Sequence, residues 1–212
     1  MEIYNQFAAL AAVTTGSVIG LLWAERTDSQ GLRWLFKPVA AIAFVFAALS
    51  VGAWQTAFGQ WILVGLIFSV LGDLFLIPRR VGPYFAMGLS AFLLGHIAYA
   101  GACIVYGIDW SHTAGAGLVF SVVAWFIFKW LAPDVPPKLK VAVGAYIVVI
   151  TAMVTLAFGT QTAIFPIAAM MFWLSDISVA RGRFKDAGFS NKLWGIPLYF
   201  GSQLVFGYAC LT

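Results

Sequence analysis

Two aspartates stand where aspartate is expensive. Asp73 lies in the apolar run Phe68 to Arg80, FSVLGDLFLIPRR, and Asp176 in Met171 to Phe184, MFWLSDISVARGRF. A carboxylate in a segment fit for hydrocarbon costs about 2.5–3.5 kcal/mol on insertion, so it calls for a partner or a task. Asp73 is six residues before Arg79, and Asp176 is five before Arg181. At ~1.5 Å per residue each lies roughly 7–9 Å inside the basic end of its segment. Each also follows a small residue, Gly72 or Ser175. Matched depth on two helices is what a paired-carboxylate site needs, one group handling a proton while the other supplies negative charge. Either aspartate alone could be a structural partner of a nearby arginine, or reach towards the headgroups.

Other polar side chains fall in the same apolar background. His96 is near the middle of its segment, either hydrogen-bonded structure or a catalytic group. Tyr99, Tyr199 and Gln203 can offer hydrogen bonds at similar depth. Ser69, Ser90, Ser175 and Ser178 read as packing hydroxyls. The chain has two histidines, and His112 is remote in sequence from the aspartates, so a zinc shell cannot be completed and no metal or cofactor is expected. Phosphate-cradling, dinucleotide and nucleophile-elbow motifs are absent. Cys103 and Cys210 form no disulfide framework and read as small buried hydrophobes.

The elements that must hold these groups are membrane helices. Of 212 residues, 62% are hydrophobic and 9% charged, against a usual charged share of about 25%. The expected fold is all-α, one polytopic transmembrane domain over 1–212. About eight helices are expected, near 3–24, 39–55, 60–77, 84–106, 114–131, 141–158, 162–180 and 194–211. Pro38, Pro78 with Pro83, and Pro133 with Pro136 and Pro137 mark connections, and Lys37-Pro38 opens the second helix. Glu2 without a basic residue, before a long apolar run, argues against a cleavable leader.

With eight helices, all twelve basic residues fall on one side. Arg26, Arg33 and Lys37 follow the first helix and Arg79 and Arg80 the third. Lys129, Lys138 and Lys140 bracket the fifth connection, and Arg181, Arg183, Lys185 and Lys192 fill the seventh. The positive-inside rule makes that side cytoplasmic and leaves both termini outside, which fits a bacterial inner membrane. The net charge of +4 thus serves topology, and no nucleic-acid partner is expected. Trp23, Trp34, Trp54, Trp61, Trp110 and Trp130 suit interfacial belts.

The chain also echoes itself. A shift of 103 carries Leu71, Asp73 and Arg80 onto Leu174, Asp176 and Arg183, Gly72 onto Ser175 and Lys37 onto Lys140. A shift of 107 carries Gly88, Ala102 and Cys103 onto Gly195, Ala209 and Cys210, with Phe92 on Tyr199, His96 on Gln203 and Tyr99 on Phe206. Two parallel four-helix halves, 1–110 and 111–212, would explain this; chance matching of Gly-rich apolar helices is the alternative.

Taken in order, Lys37-Pro38, Gly72-Asp73 with Leu-Phe-Leu, Gly88-x3-Phe92-x3-His96-x2-Tyr99, Ser175-Asp176 with Arg183-Phe184, and Tyr199-x3-Gln203 resemble the YhhN family of membrane proteins. That family includes the lysoplasmalogenases, eight-helix hydrolases that split the vinyl ether of a lysoplasmalogen into a fatty aldehyde and a glycerophospho-head group without a metal. The resemblance implies a lysophospholipid-type substrate taken from the membrane, with no protein partner. Protonation of a vinyl ether gives an oxocarbenium ion that water captures, as in glycoside hydrolysis. Asp73 and Asp176 are the expected acid and anion/base pair, in either order, with His96 beside them. Tyr99, Tyr199 and Gln203 would orient water or the ether oxygen, and Lys37 with Arg79 or Arg183 would meet the lipid phosphate. The two aspartates should then share a lipid-accessible pocket, with His96 and Gln203 deeper in it. A proton-coupled transporter would use the same buried acids and histidine, and another lipid hydrolase of the multi-helix type is a third reading.

Overall fold

The computed structural model describes residues 1–78 and 82–211. Eight α-helices make up nearly all of it: α1 Glu2–Arg26, α2 Gln30–Ser50, α3 Ala57–Leu76, α4 Pro83–Tyr106, α5 Trp110–Leu131, α6 Lys140–Gly159, α7 Ile164–Phe184 and α8 Phe189–Tyr208. The first seven are long and apolar enough to cross a membrane, and the chain is an integral membrane protein. The eighth has 20 residues, the length of α3 and α6, but Asn191, Lys192, Ser202 and Gln203 dilute its apolar character.

Several boundaries differ from the sequence reading: α8 begins at Phe189, not near 194, so Lys192 lies within it, and α5 begins at Trp110, not near 114. The second helix begins at Gln30, not near 39, so Arg33, Lys37 and Pro38 lie within it. Ser29 caps it, accepting the Leu32 amide at 3.5 Å, and Pro38 is carried inside the helix instead of starting it. Proline there removes one rung of the backbone ladder without ending the helix. The seventh helix continues past its arginines to Phe184, where Phe184 packs edge-on against Phe85 at 5.6 Å. Counted from the helix ends, the aspartates are therefore not equally deep: Asp73 is one turn from the end of α3, Asp176 more than two from the end of α7. The equal spacing counted from Arg79 rests on a residue outside those described.

Packing sets the helices in a ring. Around it α2, α3, α4, α6, α7 and α8 each touch the next, and α8 closes back onto α2; α1 lies against α2 and α8, and α5 against α6. The ring is filled with aromatic side chains, Phe44, Tyr99, Phe165, Phe172, Phe200 and Phe206, all essentially fully buried. Phe92, Phe172 and Tyr199 meet edge-to-face at 5.3–6.1 Å, a geometry that aromatic quadrupoles favour. Tyr99 stacks flat on Phe206 at 4.2 Å. Such rings need room on the facing backbone. A Cβ on Gly65 would lie 2.4 Å from Tyr99, and one on Gly72 would lie 2.6 Å from Phe92. These glycines set how closely α3 approaches α4. The tryptophans assigned to interfacial belts are all exposed, from 42% at Trp61 and Trp130 to 69% at Trp110. Cys103 is buried and Cys210 half-buried, both as free thiols.

Candidate active site

Asp73 is almost completely buried and is held from two neighbouring helices. Lys37 on α2 brings its ammonium to 3.1 Å from Oδ1, and Tyr199 on α8 donates its hydroxyl to Oδ2 at 2.7 Å. The Lys37 ammonium also donates to the Asp73 backbone carbonyl at 3.0 Å. Near this end of α3 the last carbonyls run out of helical partners. Arg183 covers two more acceptors there, donating to the carbonyls of Leu76 at 3.0 Å and Pro78 at 3.4 Å. Cations at a helix C-terminus also meet the negative end of its dipole. Lys37 and Arg183 thus fix the segment that carries Asp73.

Asp176 on α7 sits in a different setting. Its Oδ2 accepts the hydroxyl of Tyr146 on α6 at 2.6 Å and lies 3.2 Å from Nε2 of His96 on α4. Tyr146 and His96 are 2.8 Å apart, closing a triangle. The Tyr146 hydroxyl proton goes to the carboxylate, so Nε2 of His96 carries the proton that faces the other two. Nδ1 of His96 is buried without a partner. Asp73 therefore has a cation at hydrogen-bond distance, whereas Asp176 has a phenol and an imidazole.

Both carboxylates line one cavity of about 300 Å³, to which all eight helices contribute. Its walls are largely apolar, with Leu89, Phe92, Ile150 and Trp173 among them; Lys37, Tyr146, Arg183 and Tyr199 supply polar edges. The other expected site residues lie behind this wall. His96 reaches the cavity through Asp176 and Tyr146. Tyr99 donates to Gln203 Oε1 at 2.5 Å, and Gln203 donates on to the Ser69 hydroxyl at 3.3 Å. Gln203 is one turn along α8 from Tyr199, and Ser69 one turn along α3 from Asp73. The Tyr99–Gln203–Ser69 chain satisfies buried polar groups behind the Asp73–Tyr199 pair. Arg79, named for the lipid phosphate, lies outside the described residues.

Tyr146 is the site residue that the sequence did not single out. Six residues into α6 from Lys140, it is roughly 9 Å along the axis, too deep for an interfacial belt, and that depth was the available signal. A second omission is the group formed by Glu25, Arg33 and Lys192 on α1, α2 and α8. Glu25 pairs with Lys192 and lies 3.4 Å from Nε of Arg33, and Arg33 also pairs with Asp28. In the sequence Arg33 and Lys192 serve as topology signals, and Glu25 has no assigned role. Among the described residues no three His, Cys, Asp or Glu side chains converge as a metal shell would require.

The geometry can be set beside known proteins. No solved structure matches the chain significantly. Over 183 residues it is 27% identical to a lysoplasmalogenase of Mycobacterium tuberculosis, a match covering 84% of this chain and 68% of that protein. Over 162 residues it is 30% identical to the lysoplasmalogenase TMEM86A of Homo sapiens, covering 71% of this chain and 62% of the relative. A lysoplasmalogenase homolog of Dictyostelium discoideum is 28% identical over 149 residues, 62% of this chain and 47% of that one. The YhhN family model matches residues 32–209, from the first turn of α2 past the end of α8. With both aspartates and their partners inside that span, the chain belongs to the YhhN family.

Proposed function

We propose that this protein is a membrane-embedded ether hydrolase of lysoplasmalogenase type, cleaving the vinyl ether of a lysoplasmalogen-like lipid to a fatty aldehyde and a glycerophospho-head group. One observation carries the reading: two carboxylates in contrasting surroundings, one beside an ammonium and one beside a phenol and an imidazole, line a single largely apolar cavity. The names of the curated relatives agree with it.

The contrast divides the roles. Asp73, beside Lys37, is the carboxylate whose charge faces the developing oxocarbenium ion. Asp176 holds the moving proton, with Tyr146 and His96 orienting it. Asp176 protonates the β-carbon of the vinyl ether, and the double-bond electrons form that C–H bond. The positive charge left behind is shared between the α-carbon and the ether oxygen. Water adds to the α-carbon and gives a proton back to Asp176. The hemiacetal hydroxyl then gives up its proton as the carbon's bond to the glycerol oxygen breaks, that oxygen takes a proton and leaves as the alcohol, and the remaining fragment is the aldehyde. One water is consumed and the carboxyl group is regenerated. Lys37, Arg183 and Tyr199 keep Asp73 in place, and Tyr99 with Gln203 supports Tyr199 from behind. The basic end of the bundle faces the cytoplasm on this reading, with both termini outside.

Protein purified in detergent, with no ion gradient, should release fatty aldehyde from a lysoplasmalogen. A protein that releases none, yet drives uptake in vesicles that an uncoupler abolishes, is a proton-coupled transporter and not this enzyme.

A further inference from the structure

The cavity stops about halfway through the bundle. At its inner end Ile150 and Trp173 lie ten and eleven residues from the basic ends of α6 and α7, or about 15 Å. Further in, buried rings such as Phe165 and Phe172 fill the bundle. Asp176 is three residues from Trp173, about 4.5 Å along the helix, so a chain rising past Asp176 soon meets that indole. Volume is short as well. A chain of about sixteen carbons, each taking about 30 Å³ as a water molecule does, needs roughly 500 Å³, against about 300 Å³ for the whole cavity. A lipid chain that begins beside the aspartates must therefore leave sideways.

The two sides of the cavity differ. Towards α1 and α8, Glu25 pairs with Arg33 and Lys192, and hydrocarbon laid against that group would cost the solvation of its charges. Towards α5 the wall is apolar, built from Leu89, Ile127, Leu131, Ile147, Ile150 and Trp173. Helix α5 stands outside the ring, against α6 and more lightly α7, yet Ile127 and Leu131, one turn apart, reach the cavity wall. At this height α6 and α7 alone thus do not close the ring. The seam is sealed at both ends: Phe120 on α5 meets Trp173 edge-on at 5.5 Å, and Leu131 packs with Val135 and Val143 near the basic end. Between these seals α5 presents Ile127, half-buried. From Phe120 to Leu131 is about 16 Å along the axis, room for a single chain.

We infer that this seam is an alkyl-chain port: the hydrocarbon chain of the lipid leaves the cavity between α6 and α7, beneath α5, and runs past Ile127 into the bilayer. The inference rests on the hydrolase reading for which end of the lipid stays inside, and it adds the route of the chain. It also agrees with the roles of the carboxylates. The carbon that Asp176 protonates is the one that bears the chain, and the Tyr146–Asp176 hydrogen bond spans α6 and α7 at this seam. Asp73 is held from α2 and α8, on the other side of the cavity.

The test uses the full chain in detergent. The probe is a saturated 1-alkyl lysolipid, which lacks the vinyl ether, with a photoactivatable diazirine a few carbons along its chain. Labelled residues are mapped by mass spectrometry with and without an excess of the same lipid lacking the diazirine. We expect labelling of Ile127, Ile147 or Trp173 that the excess lipid abolishes. Labelling of Leu118 and Phe126, 73% and 65% exposed on α5, should persist. Competed labelling at Leu21 or Ile196, on α1 or α8, overturns the port, and so does the absence of any competed labelling. A variant gives the second readout. Ile127→Trp fills the seam, and the ratio of kcat/KM for a long-chain over a short-chain vinyl ether lysolipid should fall about tenfold, whereas Leu118→Trp should leave that ratio unchanged. An unchanged ratio in well-folded Ile127→Trp also overturns the port. The labelling arm needs no variant, so a poorly folding one leaves the decision intact. Competed labelling at the seam, with no aldehyde from any lipid, upholds the port and rejects the hydrolase. Aldehyde release with competed labelling on α1 or α8 does the reverse.

Discussion

At the residue scale the two aspartates differ in what would follow from losing a partner. Asp73 depends on Lys37 for compensation of a buried charge. Replacing Lys37 with Met strands that charge, and we expect about 3–5 kcal/mol of lost stability, read by thermal unfolding in detergent, together with lost aldehyde release. Combining it with Asp73→Asn removes both charges and should recover most of the stability but none of the activity. If stability does not return, Lys37 contributes through something other than the ion pair. Tyr146 tests the other carboxylate. Tyr146→Phe deletes the hydroxyl bonded to Asp176 and His96. The expected result is a tenfold to hundredfold fall in kcat with little change in KM, one to two decades for a misplaced proton donor. The aspartates, His96 and Tyr199 were legible in the sequence because polar side chains stand out against hydrocarbon. Tyr146 was not, because a tyrosine in a membrane helix blends with the aromatic residues around it.

At the element scale, helix number and order were legible from hydropathy and from the one-sided basic residues. Proline misled at α2. Pro38 was read as an opening signal, but the helix starts at the capping Ser29 and carries Lys37 into the bundle. That difference matters chemically, since a lysine in a loop could not be held against Asp73 so firmly. Small residues decide how close the helices come. Gly65 leaves the space that Tyr99 fills, with a Cβ there only 2.4 Å from the ring. Tyr99 is buried and committed to Gln203, so it has little freedom to move aside. Gly65→Ala should therefore lower stability by about 1–3 kcal/mol by overpacking, whereas Gly16→Ala, with nothing within 4 Å, should leave thermal unfolding unchanged. Equal behaviour of the two variants would mean that α3 and α4 are not packed this tightly.

At the scale of the whole molecule, contacts cross between the first four helices and the last four. Asp73 on α3 is held from α2 and from α8; Asp176 on α7 is held from α6 and from α4. Each carboxylate thus takes one partner from the helix before its own and one from the last helix of the opposite half. That each carboxylate is anchored from a distant helix was not legible in the sequence, since contacts between sequence-distant helices leave no trace in hydropathy or self-similarity. The same scale carries the topology. In cells, a membrane-impermeant thiol reagent should label Gln161→Cys without permeabilisation and Lys138→Cys only after it, in a background lacking Cys103 and Cys210. Both positions are exposed, in the α6–α7 and α5–α6 connections. The opposite labelling pattern would invert the orientation given by the basic residues.

The two carboxylates are the centre of this mechanism, and the most direct measurement is aldehyde release from a lysoplasmalogen by purified Asp73→Asn and Asp176→Asn beside the unaltered protein. Each variant keeps the side-chain size, but Asp73→Asn leaves the Lys37 ammonium without its carboxylate, so the folding of each is read by thermal unfolding in detergent. We expect the unaltered protein to release aldehyde and each variant to lose at least about a hundredfold, as removal of a proton donor or of the facing anion requires. Full activity in either folded variant would contradict the paired-aspartate mechanism.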